Sequence, residues 1–206
     1  MSRFRGPRVK VMRALGVELP GLSRKSIERR PFPPGQHGGG RRKKLSDYGR
    51  QLSEKQKLRF NYGISEKPLR RLVSEAFRSR GVYSDKLVEL LERRLDNVVF
   101  RAGFAPTIPA ARQLINHGHI KVDGRRVSIA SFRVKVGNEI IVKEKSRKIP
   151  VVETSVESPS LTRPKWIEFD DGKQTAKVIA LPDPDSIPFP VNLGDVVEFY
   201  SRRVSR

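Results

Sequence analysis

RLDNVVFRAGFAPTIPAARQLINHGHIKVDGRRV, residues 94–127, changes its periodicity partway, and that change decides the fold. As far as Gly118 the apolar residues recur at helical spacing; beyond it they alternate as in a strand. Thr107 is placed to cap a helix over TIPAARQLINHG, and Gly118 to stop it. HIKVDGRRVSI then reads as a hairpin, with Asp123-Gly124 at the turn where positive φ is required. On the helix, Arg112 and Asn116 are four apart, as are Gln113 and His117, so these pairs share one surface. Ala111, Leu114 and Ile115 occupy the opposing rows and can pack inward. The polar side continues through His119, Lys121, Arg125 and Arg126 on the hairpin. Residues 97–122 contain no aspartate or glutamate. A merely solvated face mixes signs, whereas guanidinium, ammonium, amide and imidazole groups without acids suit phosphates, ribose hydroxyls and base edges.

Working outward, SDKLVELLERRLDNVVFRAG predicts one long helix from Ser84 to a stop at Gly103, with Leu87, Leu90, Leu91, Leu95, Val98 and Val99 in its apolar stripe. Before it, Ser46 opens a helix that stops at Gly63. Ser65 and Pro68 open another, ending at Gly81, with Leu69, Leu72, Val73, Ala76 and Phe77 on one face. After the hairpin, NEIIVKEKS (138–146) reads as a strand and KWIEFDDGKQTAKVIAL as a second hairpin turning at Asp171-Gly172. The apolar run in PVNLGDVVEFYSRRVSR fits a helix or a strand. The first 44 residues, with RRPFPPGQHGGGRRKK at 29–44, read as irregular chain that orders on a partner.

Charge points to the kind of partner. The 206 residues carry 43 Lys/Arg against 22 Asp/Glu, a formal net charge of +21. Residues 1–60 hold 17 cations against 4 acids, residues 61–150 hold 19 against 9, and residues 151–206 hold 7 against 9. Such an excess repels itself unless a polyanion neutralises it, and the partner is expected on the first three quarters of the chain. No apolar run approaches the roughly 20 residues of a membrane span, so a membrane is not expected as partner. Without cysteine there is no disulfide or thiolate metal site, and His37, His117 and His119 lack the spacing of a zinc-protease helix. No metal or cofactor is expected.

The stretch 94–127 closely resembles the RNA-binding domain named after ribosomal protein S-four. RPFPPGQHG (30–38), LSDYGRQLSEKQKLRFNYG (45–63) and VVEFYSRR (196–203) resemble the other characteristic stretches of that ribosomal protein family. The domain alone recurs in several RNA-modifying enzymes; all four segments in order are far more specific. The resemblance implies an α+β protein: a helical amino-terminal domain with an extended basic arm, plus an inserted RNA-binding domain of two helices packed on a small, mostly antiparallel sheet. The expected boundaries are 1–44 for the arm, 45–92 for the helical domain, completed by 187–206, and 93–186 for the S-four-type domain with its sheet extension.

It further implies a structural component of the small ribosomal subunit that binds 16S-type ribosomal RNA early and nucleates assembly of the subunit body. Other implied partners are messenger RNA near the channel by which it enters, and ribosomal proteins S-three and S-five; a homo-oligomer is not implied. The implied compartment is the ribosome of a bacterial cytoplasm, with the plastid stroma as alternative, and the implied influence is on decoding accuracy. Carried over by motif, the RNA contacts would be Arg3, Arg8, Lys10, Arg41, Arg42, Lys43, Lys44 and Arg50 in the basic stretch. The helix LSEKQKLRF would add Lys55, Lys57 and Arg59, and the domain Arg94, Arg101, Arg112, Gln113, Asn116, His117, His119 and Lys121. Some members of the family carry a cysteine zinc cluster in the amino-terminal segment, and this chain has none.

Other functions fit less well. Arg94-Leu95-Asp96 resembles the catalytic aspartate motif of pseudouridine synthases, but an ion pair is the expected role of Asp96, and the 64 residues after Val142 are too few for a catalytic sheet domain. Gly38-Gly39-Gly40 has no preceding strand and no GK[ST], so it is not read as a nucleotide loop. A helix-turn-helix DNA reader would concentrate its cations on one recognition helix; here they extend over arm, helices and hairpin. The double substitution Arg112→Ala with Lys121→Ala is expected to weaken RNA binding with folding intact.

Overall fold

The amino-terminal stretch, expected to be irregular through residue 44, contains a helix. The structure is a computed structural model describing residues 4–40 and 44–204. In chain order its elements are α1 (Arg8–Leu15), α2 (Asp47–Asn61), α3 (Glu66–Arg78), α4 (Tyr83–Glu92), α5 (Leu95–Arg101), α6 (Ile108–Asn116), β1 (Ile120–Val122), β2 (Arg125–Arg126), β3 (Glu139–Val142), α7 (Glu144–Arg147), α8 (Pro150–Glu157), β4 (Ile167–Asp170), β5 (Thr175–Val178) and α9 (Leu193–Val204). They divide into two compact units, residues 1–87 with 187–206 and residues 88–186.

In the first unit, α1 ends at Gly16, whose φ of +68° lets its N–H reach back to the Met12 carbonyl. Met12, Leu19 and Leu22 are buried, and the Gly21 N–H donates to Asn61 Oδ1 at 2.9 Å. Residues 8–22 therefore belong to the fold. Three well-placed apolar side chains suffice to anchor a stretch whose composition reads as unfolded. α2 starts where Ser46 Oγ accepts the Gly49 N–H at 3.2 Å. Its buried stripe, Gln51, Lys55, Leu58 and Asn61, is polar at three of four positions, and the polar groups find partners. Lys55 Nζ lies 2.9 Å from Glu66 Oε2 on α3 and 4.8 Å above the Phe199 ring of α9. The Tyr200 hydroxyl donates to Glu66 Oε1 at 2.7 Å. Burial works against the Glu66 carboxylate, but the Lys55 and Tyr200 hydrogen bonds outweigh it and hold its pKa below the usual value. The last segment is thus a helix, with Val196, Phe199 and Tyr200 at i, i+3 and i+4 on its buried side.

The long helix expected from Ser84 to Gly103, most of which falls in the second unit, is broken into α4 and α5 at Arg93-Arg94. Arg94 is extended (φ −70°, ψ 136°) and bridges to Arg133. The Leu95 and Asp96 N–H groups donate to the Phe132 and Ala130 carbonyls at 2.8 and 3.1 Å, and the Val134 N–H donates to the Arg93 carbonyl at 2.9 Å. These long-range bonds replace the helical ones, so a continuous apolar stripe survives a sharp change of backbone direction. α5 is buried on every side and packs on α6.

The five strands form one antiparallel sheet in the order β2-β1-β3-β5-β4. Ile120, Val122, Ile140, Val142, Ala176 and Val178 are all buried along it. The first hairpin turns at Asp123 (φ +48°) and Gly124 (φ +77°), the pair of left-handed residues that a tight two-residue turn needs. The second turn spans residues 171–174, with Gln174 at φ +47°. The strand expected over 138–146 ends at Val142; α7 and α8 follow, Pro150 supplying an α8 start that needs no N–H. Among the described residues no helix is long and apolar enough to cross a membrane, and no group of three acids or histidines could hold a metal ion.

Candidate nucleic-acid interface

The candidate interface is built from the end of α6 onward. Thr107 Oγ1 accepts the Ala110 N–H, and Ile108, Ala111, Leu114 and Ile115 are buried, which leaves Gln113, Asn116 and His117 exposed. Gly118 stops the helix at φ +75°. A Cβ built there would lie 2.2 Å from Arg126 Nε, so the bare glycine lets the Arg126 guanidinium rest on the turn. Arg126 reaches it because β1 and β2 pair Lys121 with Arg126 and Val122 with Arg125. On the other side of β1, the Ile120–Val142 pairing places Lys143 beside His119, its N–H donating to the His119 carbonyl at 2.9 Å.

His119 is half-buried, and its Nδ1 lies 2.8 Å from Oγ of the buried Ser146. Burial, then the charges of His117, Lys143 and Arg126, hold its pKa below the usual histidine value. The nearest turn carboxylate is tied up: Asp123 accepts from the Asn138 side chain at 2.6 Å and from the Glu139 N–H at 2.8 Å. The result is a run of hydrogen-bond donors and cations, Gln113, Asn116, His117, His119, Lys121, Arg125, Arg126 and Lys143, in one unit. Gly118→Ala is expected to destabilise this unit by about 1 kcal/mol through its left-handed backbone. The substitution also displaces the Arg126 side chain. Urea unfolding measures the first effect, and reduced RNA affinity the second.

Five expected contact residues are turned to structural use. Arg94 is buried and donates twice to Asp96, Nε to Oδ1 at 3.1 Å and Nη2 to Oδ2 at 2.9 Å. Arg112 Nε meets the same Oδ2 at 2.7 Å. Arg101 is buried, with Nη2 on the Ser186 carbonyl at 3.0 Å and Nε 3.6 Å from Glu92 Oε2. Lys55 is buried against Glu66, and Lys57 Nζ binds Glu54 Oε1 at 2.6 Å and the Pro190 carbonyl at 3.3 Å. An acid-free window starting at residue 97 misses Glu92 and Asp96, which lie just outside it and neutralise these arginines. It follows that Arg112→Ala perturbs the fold as well as the surface, contrary to the expectation that folding stays intact.

Of the remaining expected contacts, Arg8, Lys10, Lys44 and Arg50 are exposed, Arg50 with Asp195 Oδ1 at 3.3 Å, and Arg59 is half-buried over Phe60. Arg3, Arg41, Arg42 and Lys43 lie outside the described residues. His37, in PPGQHG, is exposed. Sequence reasoning missed Lys143 altogether, since only the strand register brings it to His119. It also left Arg125 and Arg126 out of the contact set, although the Asp-Gly turn fixes their place opposite β1. The exposed Lys67, Arg70, Arg71 and Arg78 on α3 were left out too; they lie opposite that helix's apolar stripe.

The family described as ribosomal protein S4/S9 N-terminal domain matches residues 3–92, and the S4 domain family matches residues 93–140. The chain is 58% identical over 205 residues to small ribosomal subunit protein uS4 of Methylobacillus flagellatus, covering 99% of this chain and 100% of that one. It is 53% identical over 205 residues to protein uS4B of Nitrosomonas europaea and 50% identical over 204 residues to uS4 of Trichodesmium erythraeum, again over their full lengths. With both family domains in order and such identity from end to end, the chain belongs to the uS4 family of ribosomal structural proteins, which is not a family of enzymes.

Proposed function

We propose that this protein is an RNA-binding structural component of the small ribosomal subunit, binding 16S-type ribosomal RNA directly and early, so that it nucleates assembly of the subunit body. The observation that carries the reading is the surface running from Gln113 through His117, His119 and Lys121 to Arg125 and Arg126, in which donors and cations are exposed or half-buried while the Asp96 and Asp123 carboxylates accept hydrogen bonds from other residues. Arg8, Lys10, Lys44, Arg50 and Arg59 in the first unit extend the set of phosphate contacts. The reading also includes a position close to where messenger RNA enters, ribosomal proteins S-three and S-five as neighbours, and an effect on decoding accuracy. The ribosomal compartment is that of the bacterial relatives.

Its mechanism is distributed phosphate neutralisation combined with shape matching, in which backbone contacts over a wide area select a folded junction. Neutralising about 8 phosphates gives a slope of log affinity against log salt of roughly −6 to −7. The test is competition between structured 16S-type RNA and duplex DNA at matched salt, together with that slope. A slope near −1, or equal affinity for the DNA, rejects the reading. Lys121→Ala with Arg126→Ala replaces the Arg112 double variant as the surface test, because neither side chain is buried.

A further inference from the structure

The turn that ends α6 holds a concentration of cationic groups around one titratable ring, and the geometry of that ring is specific. Two constraints fix it. Ser146 Oγ, itself buried, stands 2.8 Å from Nδ1, which leaves the opposite nitrogen, Nε2, for another partner. The His117 ring lies 6.1 Å away, centroid to centroid. The neighbouring segments each contribute a group acting on the ring: the C-cap of α6 gives His117, β2 gives Arg126, the link from β3 to α7 gives Lys143, and α7 gives the neutral Ser146. The charged groups acting on His119 are thus all bases. The bare Cα of Gly118 leaves the room that Arg126 occupies there. Burial and these neighbours favour the uncharged imidazole in the free protein. An arriving anion reverses that preference, because it neutralises Arg126 and Lys143 and offers an acceptor to the ring.

We propose that residues 117–119, with Arg126 and Lys143, form a proton-coupled seat for one phosphodiester of the RNA, and that His119 takes up one proton from solvent as the phosphate docks. The resulting imidazolium donates from one nitrogen to Ser146 Oγ and from the other to a phosphate oxygen; release of the RNA returns the proton to solvent. The inference rests on RNA being the partner, as proposed above. Its sign is determined. Bound His119 is more basic than free His119, so affinity falls as pH rises through the interval between the two pKa values and is flat outside it. Uptake of one full proton changes affinity by up to about tenfold per pH unit.

The test uses the full chain and a structured 16S-type RNA at fixed ionic strength, from pH 5.5 to 8.5. Calorimetry in two buffers of different ionisation heat counts the protons taken up. Uptake approaching one proton is expected in the native protein. It should vanish in His119→Gln and persist in His37→Gln, an exposed histidine outside the seat, with the salt slope of His119→Gln within about one unit of the native slope. No uptake by the native protein, or uptake undiminished in His119→Gln, overturns the proposal. Should His119→Gln fail to fold, the Cε1–H resonance of His119 in the native protein decides instead: its pKa rises on RNA binding, and an unchanged pKa overturns the seat. RNA bound with the full salt slope but without proton uptake removes the seat and leaves the RNA-binding function standing. Failure to prefer the RNA over duplex DNA removes the function, and the seat with it.

Discussion

Asp96→Ala should lower the stability of the unit formed by residues 88–186 by about 3–5 kcal/mol. Asp96 is 1% exposed, and its carboxylate accepts from Arg94 twice, from Arg112 and from the Asn97 N–H. Removing it takes the shared carboxylate from two largely enclosed guanidinium groups, and breaking a buried ion pair by deleting one partner is strongly destabilising. Asp96→Asn retains an acceptor but no charge and should fall between the native protein and the alanine variant. The double variant Asp96→Ala with Arg112→Ala should lose less than the sum of the two single losses, because both substitutions remove the same carboxylate–guanidinium contact. The reporter is built in: Trp166 is the only tryptophan, it is 3% exposed, and it lies in this unit. Its fluorescence in urea therefore follows this unit. A loss below about 1 kcal/mol would mean that the Asp96 cluster does not hold α5 and α6 together.

The second large effect is expected in the other unit. Truncation after Asp195 removes Val196, Phe199 and Tyr200, which are 0%, 4% and 1% exposed. Losing one buried aromatic side chain costs about 3–5 kcal/mol. Losing two with a valine approaches the whole stability of a typical domain, about 5–15 kcal/mol. The unit built on α2 and α3 should then lose its cooperative transition, seen as diminished far-ultraviolet helical signal, while the Trp166 transition remains. Tyr200→Phe gives the graded version: it deletes the hydrogen bond to Glu66 while keeping the ring and should cost about 1 kcal/mol. Unchanged helical signal and melting in the truncated chain would show that the first unit does not depend on residues 196–206.

What could be read in the sequence was what is decided locally. The caps at Ser46 and Thr107, the stop at Gly118 and the Asp123-Gly124 turn each follow from a few adjacent residues, and each appears as expected. The break at Arg93-Arg94 was hidden because its cause lies at residues 130–134, about forty positions away. The helix at 8–15 was hidden by cations around three anchoring apolar residues, and the helical state of the last segment by a run too short to show a period. The candidate surface was half legible. Its residue types and spacing marked out α6 and the hairpin, but charge counting cannot distinguish an arginine held by a buried carboxylate from one facing solvent. Arg94, Arg101 and Arg112 were read as RNA contacts for that reason, and the structure sets each beside a buried carboxylate; Lys143 was not singled out because only strand pairing carries it to His119.

The order of the chain has a consequence for how the molecule is made. Residues 88–186 are contiguous, whereas the first unit needs α9, which is synthesised after them. At ordinary elongation rates the stretch of a little over a hundred residues between α3 and α9 takes on the order of 5–20 s to emerge. During that interval the nascent chain can already close the later unit around its own sheet, while α2 still lacks the helix that covers Lys55. α9 acts as a latch that shuts the earlier half last.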